Sequence, residues 1–229
     1  MTDAPAVPVI EASPQEVYDI ELAHNLLDAN ARLARDNRAL LDSHGITAID
    51  FMGAIGSGKT SLIAGLCERL KSGSGLAVFN GDATTSTDVE AIAEQGVPVV
   101  QISTIKSCHL DANLIRKALG KIDLHQTGLI LIENIGNLIC PPEFPLGSKA
   151  RVVVISITEG AYMVKKHPHM FLGANIVVIN KIDLAAAMGV SVAELVRDVH
   201  RLKPDIMVIP ASCKTGIGQD ELAAALLDL

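Results

Sequence analysis

Residues 46–61 read ITAIDFMGAIGSGKTS, and the stretch changes character halfway. The first half is a short apolar run with β-branched and aromatic residues, which predicts a strand over 46–52. The second half fills the pattern G-x-x-x-x-G-K-[ST] with Gly53, Ala54, Ile55, Gly56, Ser57, Gly58, Lys59 and Thr60, and Ser61 leads into a helical segment. Glycines let successive backbone N–H groups curl around phosphate oxygens. Lys59 is placed to reach the β- and γ-phosphates, Thr60 offers a hydroxyl to magnesium, and the helix opening there adds its positive end. A glycine-rich turn of no function would share the composition, but it would not need the strand-then-helix context. The stretch predicts a phosphate-binding loop and hence a P-loop NTPase fold.

The chain around this loop repeats the same alternation. Apolar runs at 76–80, 97–102, 128–132, 152–157, 176–179 and 207–209 predict six further strands. The segments between them, 59–71, 86–95, 109–121, 191–202 and 218–227, have helical character. Strands alternating with helices imply βαβ units, so the expectation is a mostly parallel, about seven-stranded sheet with helices on both faces. The composition agrees: 49% of the 229 residues are hydrophobic, aromatics are only 3% and Trp is absent. Such a core is built from Ala, Val, Ile and Leu, as a doubly covered parallel sheet requires. Upstream of residue 45 the alternation stops. Ser13, Pro14 and Glu16 read as an N-cap, a first-turn proline and a capping-box carboxylate, with apolar residues at helical spacing up to His44 and Gly45. The expected organisation is a frayed tail over 1–13, one long helix over 14–44 and a P-loop NTPase domain over 45–229.

A formal charge of −7 argues against nucleic acid as a partner, because phosphate-backbone binding needs a basic surface. The amino terminus has neither a basic region nor an apolar one, and no apolar run approaches the length of a membrane span. The expectation is a cytoplasmic protein without a membrane partner. The four cysteines, at 67, 108, 140 and 213, follow no framework spacing and read as reduced thiols, some of them candidate metal ligands.

Asn180-Lys181-Ile182-Asp183 follows the 176–179 strand at the end where α/β proteins bind ligands. An N-K-x-D sequence there reads guanine. The Asp183 carboxylate can accept from guanine N1–H and N2–H₂, donors that adenine lacks in that arrangement. Ser212, Cys213 and Lys214 form the second loop of a guanine pocket. Between the phosphate loop and these sites lie Asp82, after the second strand, and Glu133 in Glu133-Asn134-Ile135-Gly136, after the fourth. Both are magnesium candidates beside Thr60, and with Lys59 they form the expected catalytic set. Asp82 could instead cap its turn. Glu133 stands where most GTPases carry Asp, and no glutamine follows Gly136, so intrinsic hydrolysis is expected to be slow.

Cys108 and His109 read as the start of a helix, and Cys140 follows the Glu133 segment. Two thiolates and an imidazole suit zinc or nickel(II), and a helix start favours the thiolate. An isolated Cys-His pair is more often no metal site at all. Cys67 reads as a small core residue, and Cys213 as serving the base loop through its backbone. His167 and His169 read as a surface loop with metal binding as the alternative.

In order, GAIGSGKT, GDATTSTD, CHLDA, ENIGNLICP, SITEG and NKIDL resemble the HypB family, GTPases that assist nickel insertion into [NiFe]-hydrogenase. The resemblance spans nearly the whole chain and includes the leading helix. It implies a dimerising P-loop GTPase of the branch that also holds the urease accessory protein UreG. It implies a metal site at Cys108, His109 and Cys140, with ligands meeting across a homodimer promoted by GTP and metal. It implies GTP/GDP, magnesium and nickel or zinc as ligands, and a HypA-like maturation partner and the hydrogenase large subunit as protein partners. The cysteine motif and histidine-rich stretch of some members do not occur in this sequence, so nickel is expected at the domain site. After SITEG the chain reads AYMVKKHPHMF and departs from the family pattern, which leaves the client open. A passive metal-binding module that uses nucleotide as a structural ligand, an accessory GTPase for another nickel enzyme, and a small-molecule kinase are the competing readings.

Overall fold

Runs of Val, Ile and Leu form strands here, and the amphipathic stretches between them form helices. The computed structural model describes residues 9–11, 23–73, 75–81, 86–103, 109–136 and 144–229. In chain order the elements are β1 (Val9–Glu11), α1 (Ala23–Ser43), β2 (Thr47–Gly53), α2 (Lys59–Leu70), β3 (Leu76–Asn80), α3 (Ser86–Glu94), β4 (Val99–Ser103), α4 (Ala112–Leu119), β5 (Leu129–Glu133), β6 (Ala150–Ser156), α5 (Met163–Lys166), α6 (Pro168–Leu172), β7 (Ile176–Asn180), α7 (Ala185–Met188), α8 (Val192–Leu202), β8 (Met207–Pro210) and α9 (Gln219–Leu227).

The strands make one eight-stranded sheet in the order β1-β4-β3-β5-β2-β6-β7-β8, with every adjacent pair parallel. Every residue of β3, β5 and β7 is buried, as helices on both faces demand. Alternate residues go to opposite faces. Leu129 and Leu131 join Leu62, Leu66 and Leu222 on the side of α2 and α9, whereas Ile130 and Ile132 join Leu41, Leu114 and Ile115 on the side of α1 and α4. A third cluster gathers Val153, Ile155, Val177 and Ile179 under Phe171 and Val199. Among the described residues no helix is long and apolar enough to cross a membrane.

The register brings the carboxyl ends of the central strands to one edge. Asn80 lies beside Glu133, Glu133 beside Phe51, Gly53 beside Val154, and Ser156 beside Asn180. Parallel sheets bind ligands at this edge.

Three expectations need correction. Val9–Glu11 is not frayed tail: it pairs in parallel with Gln101–Ser103 and so becomes an eighth strand. The gain is backbone partners for an otherwise open edge of β4. The second correction concerns α4. This helix starts at Ala112 with Asp111 as its cap, the Asp111 carboxylate accepting from the Leu114 N–H. His109 therefore precedes the helix rather than opening it, and the dipole argument for a thiolate at 108 loses its geometry. The third is the KKHPHMF segment, which forms the short helices α5 and α6, with His167 as the junction, and not a loop. The long helix is described from Ala23 and stops where expected, Gly45 turning left-handed at φ 68°. Ser13, Pro14 and Glu16 lie outside the described residues.

Helix α1 is pinned to α4 by two asparagines. Asn37, fully buried, donates to the carbonyls of Ala112 (2.8 Å) and Leu146 (3.1 Å) and accepts from Arg116. Asn30 accepts from the Ala112 N–H at 2.8 Å.

Candidate nucleotide and metal site

The loop between β2 and α2 has room for glycine alone at two points. A Cβ at Gly53 would collide with the Val154 carbonyl, and one at Gly58, where φ is +93°, would collide with the Asn180 amide. Gly58 also precedes α2 without offering a capping side chain, as an anion-binding helix start requires. Lys59 is 3% exposed and folds back to donate to the carbonyls of Gly53 (3.2 Å) and Ala54 (3.1 Å). The buried Ser57 hydroxyl has no hydrogen-bond partner among the described residues. An orphaned buried hydroxyl, a lysine and an open helix start together fit a phosphate group.

At the next position the Thr60 hydroxyl donates to Glu133 Oε1 at 2.7 Å, and Asn80 donates to Oε2 at 3.3 Å. Glu133 is only 1% exposed. Because the Thr60 proton points to a carboxylate, the oxygen lone pairs are left for a hard cation. The hydroxyl-carboxylate donor set fits magnesium. Asp82, expected to be the third oxygen ligand, lies outside the described residues.

The base-reading loops are cross-linked to the phosphate loop. Asn180 Nδ2 donates to the Ser57 carbonyl (2.9 Å), and Lys181 Nζ donates to the Gly56 carbonyl (2.6 Å). Lys181 adopts φ +61°, the positive-φ non-glycine residue among those described. Such strain is held by its surroundings, here the bond of its N–H to Asn180 Oδ1 at 2.8 Å. The Ser212 hydroxyl donates to Asp183 Oδ1 at 2.7 Å, leaving the exposed carboxylate oriented by one oxygen. The Cys213 thiol donates to Asn180 Oδ1 at 3.6 Å, so its side chain and not only its backbone belongs to this loop. Lys214 is exposed beside it.

Cys108 and Cys140 lie outside the described residues, and among the described ones no three His, Cys, Asp or Glu side chains gather as a ligand set. His109 is half-buried with its ring against Phe144, centroids 4.0 Å apart. Burial lowers its pKa, against a smaller upward pull from Asp111, which favours the neutral imidazole that a metal requires. His167 and His169 bring no metal cluster among the described residues.

Two residues here carried no expected role. Glu159 ends a turn after β6, with Oε1 accepting from the Ser156 N–H at 2.8 Å and Oε2 buried without a hydrogen-bond partner among the described residues. Burial raises its pKa, while the Lys59 and Lys181 charges pull it down, so it faces the phosphate loop. The available signal was an acidic residue at the carboxyl end of the strand adjoining the phosphate-loop strand. The other is Asn134, 4% exposed, whose side chain bonds Asp50 and the Leu110 N–H.

Known proteins share this arrangement. The sequence pattern of the CobW/HypB/UreG nucleotide-binding domain matches residues 47–210. A probable hydrogenase maturation factor HypB of Methanocaldococcus jannaschii is 46% identical over 203 residues, covering 89% of this chain and 92% of that one. The crystal structure of HypB from Archaeoglobus fulgidus superposes with a TM-score of 0.84 at 42% identity, covering 88% of this chain and 98% of that one. HypB from Helicobacter pylori, solved in complex with nickel, superposes with a TM-score of 0.81 at 30% identity, covering 87% and 94%. Matched by the family pattern over most of its length and by HypB relatives that are 30–46% identical, this chain belongs to the CobW/HypB/UreG family, on its HypB branch.

Proposed function

We propose that this chain is a GTP-hydrolysing accessory protein that assists nickel insertion into [NiFe]-hydrogenase. The observation that carries the reading is the Thr60–Glu133 bond at 2.7 Å, which joins the phosphate loop to the strand end leading towards Cys140. Support for nickel comes from the H. pylori relative, whose solved form holds that metal. Support for guanine comes from Asp183, oriented by Ser212 beside a base loop anchored to the phosphate loop through Asn180.

In this mechanism Gly53–Thr60 N–H groups and Lys59 bind the phosphates, and Lys59 leaves its loop carbonyls to neutralise charge on the transferring group. Thr60, Glu133 and Asp82 would hold magnesium, which when bound would supply positive charge to the phosphate groups. Glu133 accepts the hydrogen bond of the Thr60 hydroxyl and so orients that oxygen. No glutamine follows Gly136 to position water, so turnover is slow. Cys108, His109 and Cys140 hold nickel or zinc as cargo, with a second copy of the chain completing the ligand set. A HypA-like partner and the hydrogenase large subunit are the exchange partners, and the cytoplasm is the working compartment.

The test is phosphate release with GTP or ATP and magnesium, run as multiple turnovers, alongside light scattering with nickel and a GTP analogue. GTP-selective turnover with metal-promoted dimers supports the reading. Tight GTP binding with no hydrolysis reduces the chain to a metal-binding module.

A further inference from the structure

Asn134 sits where the phosphate side and the metal side of the site meet, and its amide is used in two directions. Nδ2 donates to Asp50 Oδ1 at 3.1 Å. Oδ1 accepts from the Leu110 N–H at 3.2 Å and from the Ile135 N–H at 3.0 Å. The amide cannot be turned over, because the flip would set its carbonyl against a carboxylate and its NH₂ against two N–H donors. Asp50 is fully buried, and Arg151 Nε holds its other oxygen at 3.1 Å. Asn134 is thus clamped from inside the sheet by a charged pair.

Each partner leads to a different part of the site. On its amino side Asn134 is bonded in sequence to Glu133, which holds Thr60. On its carboxyl side Gly136 lies so close to the phosphate loop that a Cβ would stand 2.6 Å from Ile55 Cγ1. Across the bond to Leu110 lies His109. Leu110 is fully buried, and its side chain packs on Gly81, the neighbour of Asp82. The far side of this short segment is tied at Ala112 to α1 through Asn30 and Asn37. The His109 segment therefore has one anchor on the leading helix and one on the nucleotide side. The second includes the Asn134 side-chain amide, beside the packing of Leu110 on Gly81.

We infer that Asn134 is a positioning residue that couples nucleotide state to metal affinity. It does so by holding the Leu110 N–H, and with it His109, in register with Glu133. The inference rests on the proposed GTP-dependent nickel function and adds the group that transmits it. Movement of 133–136 on loss of the γ-phosphate carries the Asn134 amide with it, withdraws an acceptor from Leu110, and releases His109 from its place. Coupling between sites needs a physical element that both ligands bias, and this amide is one.

The experiment titrates nickel into the full chain with and without a non-hydrolysable GTP analogue and takes the ratio of the two affinities. In the wild type this ratio is expected at about five or more. In Asn134→Ala it falls to about one, while the nickel affinity of the nucleotide-free form changes less than the ratio does. Asn134→Asp sets two carboxylates face to face and should lose the ratio as well. The double variant Asp50→Asn/Asn134→Asp exchanges donor and acceptor. The amide introduced at position 50 donates to the carboxylate introduced at position 134, and the carbonyl of that amide accepts from Arg151. The new carboxylate still accepts from the N–H groups of Leu110 and Ile135. That variant should recover the ratio, because every donor again faces an acceptor; a merely structural role for Asn134 predicts instead that the alanine variant loses nickel affinity equally with and without the analogue. If Asn134→Asp does not fold, the alanine variant and the exchange pair decide the matter. A wild-type ratio in Asn134→Ala, or no recovery in a folded exchange pair, overturns the inference. A wild-type ratio of one sinks the nucleotide-coupled metal reading and takes this inference with it.

Discussion

The two ends of the ligand crevice are secured in different ways. At the base end, Asn180, Lys181, Asp183, Ser212 and Cys213 are tied to one another and to the phosphate loop by side-chain bonds that need no ligand. At the metal end, the His109 segment reaches the nucleotide side through the Leu110–Asn134 bond and the packing of Leu110 on Gly81. The first arrangement is preorganised, so binding energy is not diverted to ordering the loops. The second hangs on groups that belong to the segment expected to respond to the γ-phosphate. The base loops, which discriminate, are built stiff, and the segment proposed to release cargo is built on a transmissible contact.

The strongest way to break this contrast is Lys59→Ala. Losing the charge at the transferring phosphoryl should lower hydrolysis by about a hundredfold or more. The base loops are held by bonds of their own through Asn180, Lys181 and Ser212, so preference for GTP over ATP should persist in competition binding. Near-wild-type phosphate release, or loss of base preference, would show that the two ends are not separate.

Asp183→Asn attacks the stiff end directly. An amide cannot serve both guanine donors, and an unpaired buried group costs about 1–3 kcal/mol, or roughly 5- to 150-fold in GTP affinity. Xanthine nucleotides, which carry a carbonyl in place of the amino group, should gain. Ser212→Ala removes the bond that orients Asp183 and the acceptor of the Thr215 N–H, so about 0.5–1.5 kcal/mol per lost bond is expected, with guanine still preferred. Unchanged guanine selectivity in Asp183→Asn removes that residue from base reading.

How much of this was legible in the sequence follows the distance over which each feature is determined. The phosphate loop was legible because Gly53 and Gly58 answer to local backbone needs, and the base motif because it directly follows a strand. The strand β1 was not, since three residues carry no periodicity and their partners lie far along the chain. The helix α4 starts later than Cys108 and His109 suggest, because the Asp111 carboxylate caps it by accepting from the Leu114 N–H. Asn134 was invisible as a functional residue: its partners Asp50 and Leu110 are 84 and 24 positions away, and no motif spacing joins them. Glu159 was not legible as a site residue, because its relation to Lys59 exists only after β6 is placed beside β2.

Cys140→Ala probes the responsive end from the cargo side. The thiolate is proposed to touch metal and not nucleotide, so nickel affinity in the GTP-analogue state should fall by about fivefold or more. GTP affinity measured without metal should stay close to wild type. Equal losses in both affinities would mean that Cys140 serves the nucleotide site or the fold itself.

The finest expected difference is chemical and needs no substitution at either site. Cys67 is fully buried in α2, and burial, with the Glu68 charge adding to it, pushes its thiol up to about 12. At pH 8 only about one Cys67 thiol in ten thousand is then ionised, and the thiolate is the reactive form. Cys213 is half-buried, and its pKa is raised by burial against the pull of Asn180, its own backbone and Lys181. A slow alkylating reagent at pH 8 should therefore modify Cys213 before Cys67, read site by site by mass spectrometry. Raising the pH should speed both, because each thiol ionises as pH climbs towards its elevated value. Bound GDP should slow Cys213 alone, since that thiol belongs to the base loop through its bond to Asn180 Oδ1. Cys67 should respond to denaturant instead, reacting at the rate at which α2 is exposed. Protection of Cys67 by nucleotide would mean that the helix behind the phosphate loop opens with ligand state. Rapid native-state labelling of Cys67 would show that α2 opens without denaturant.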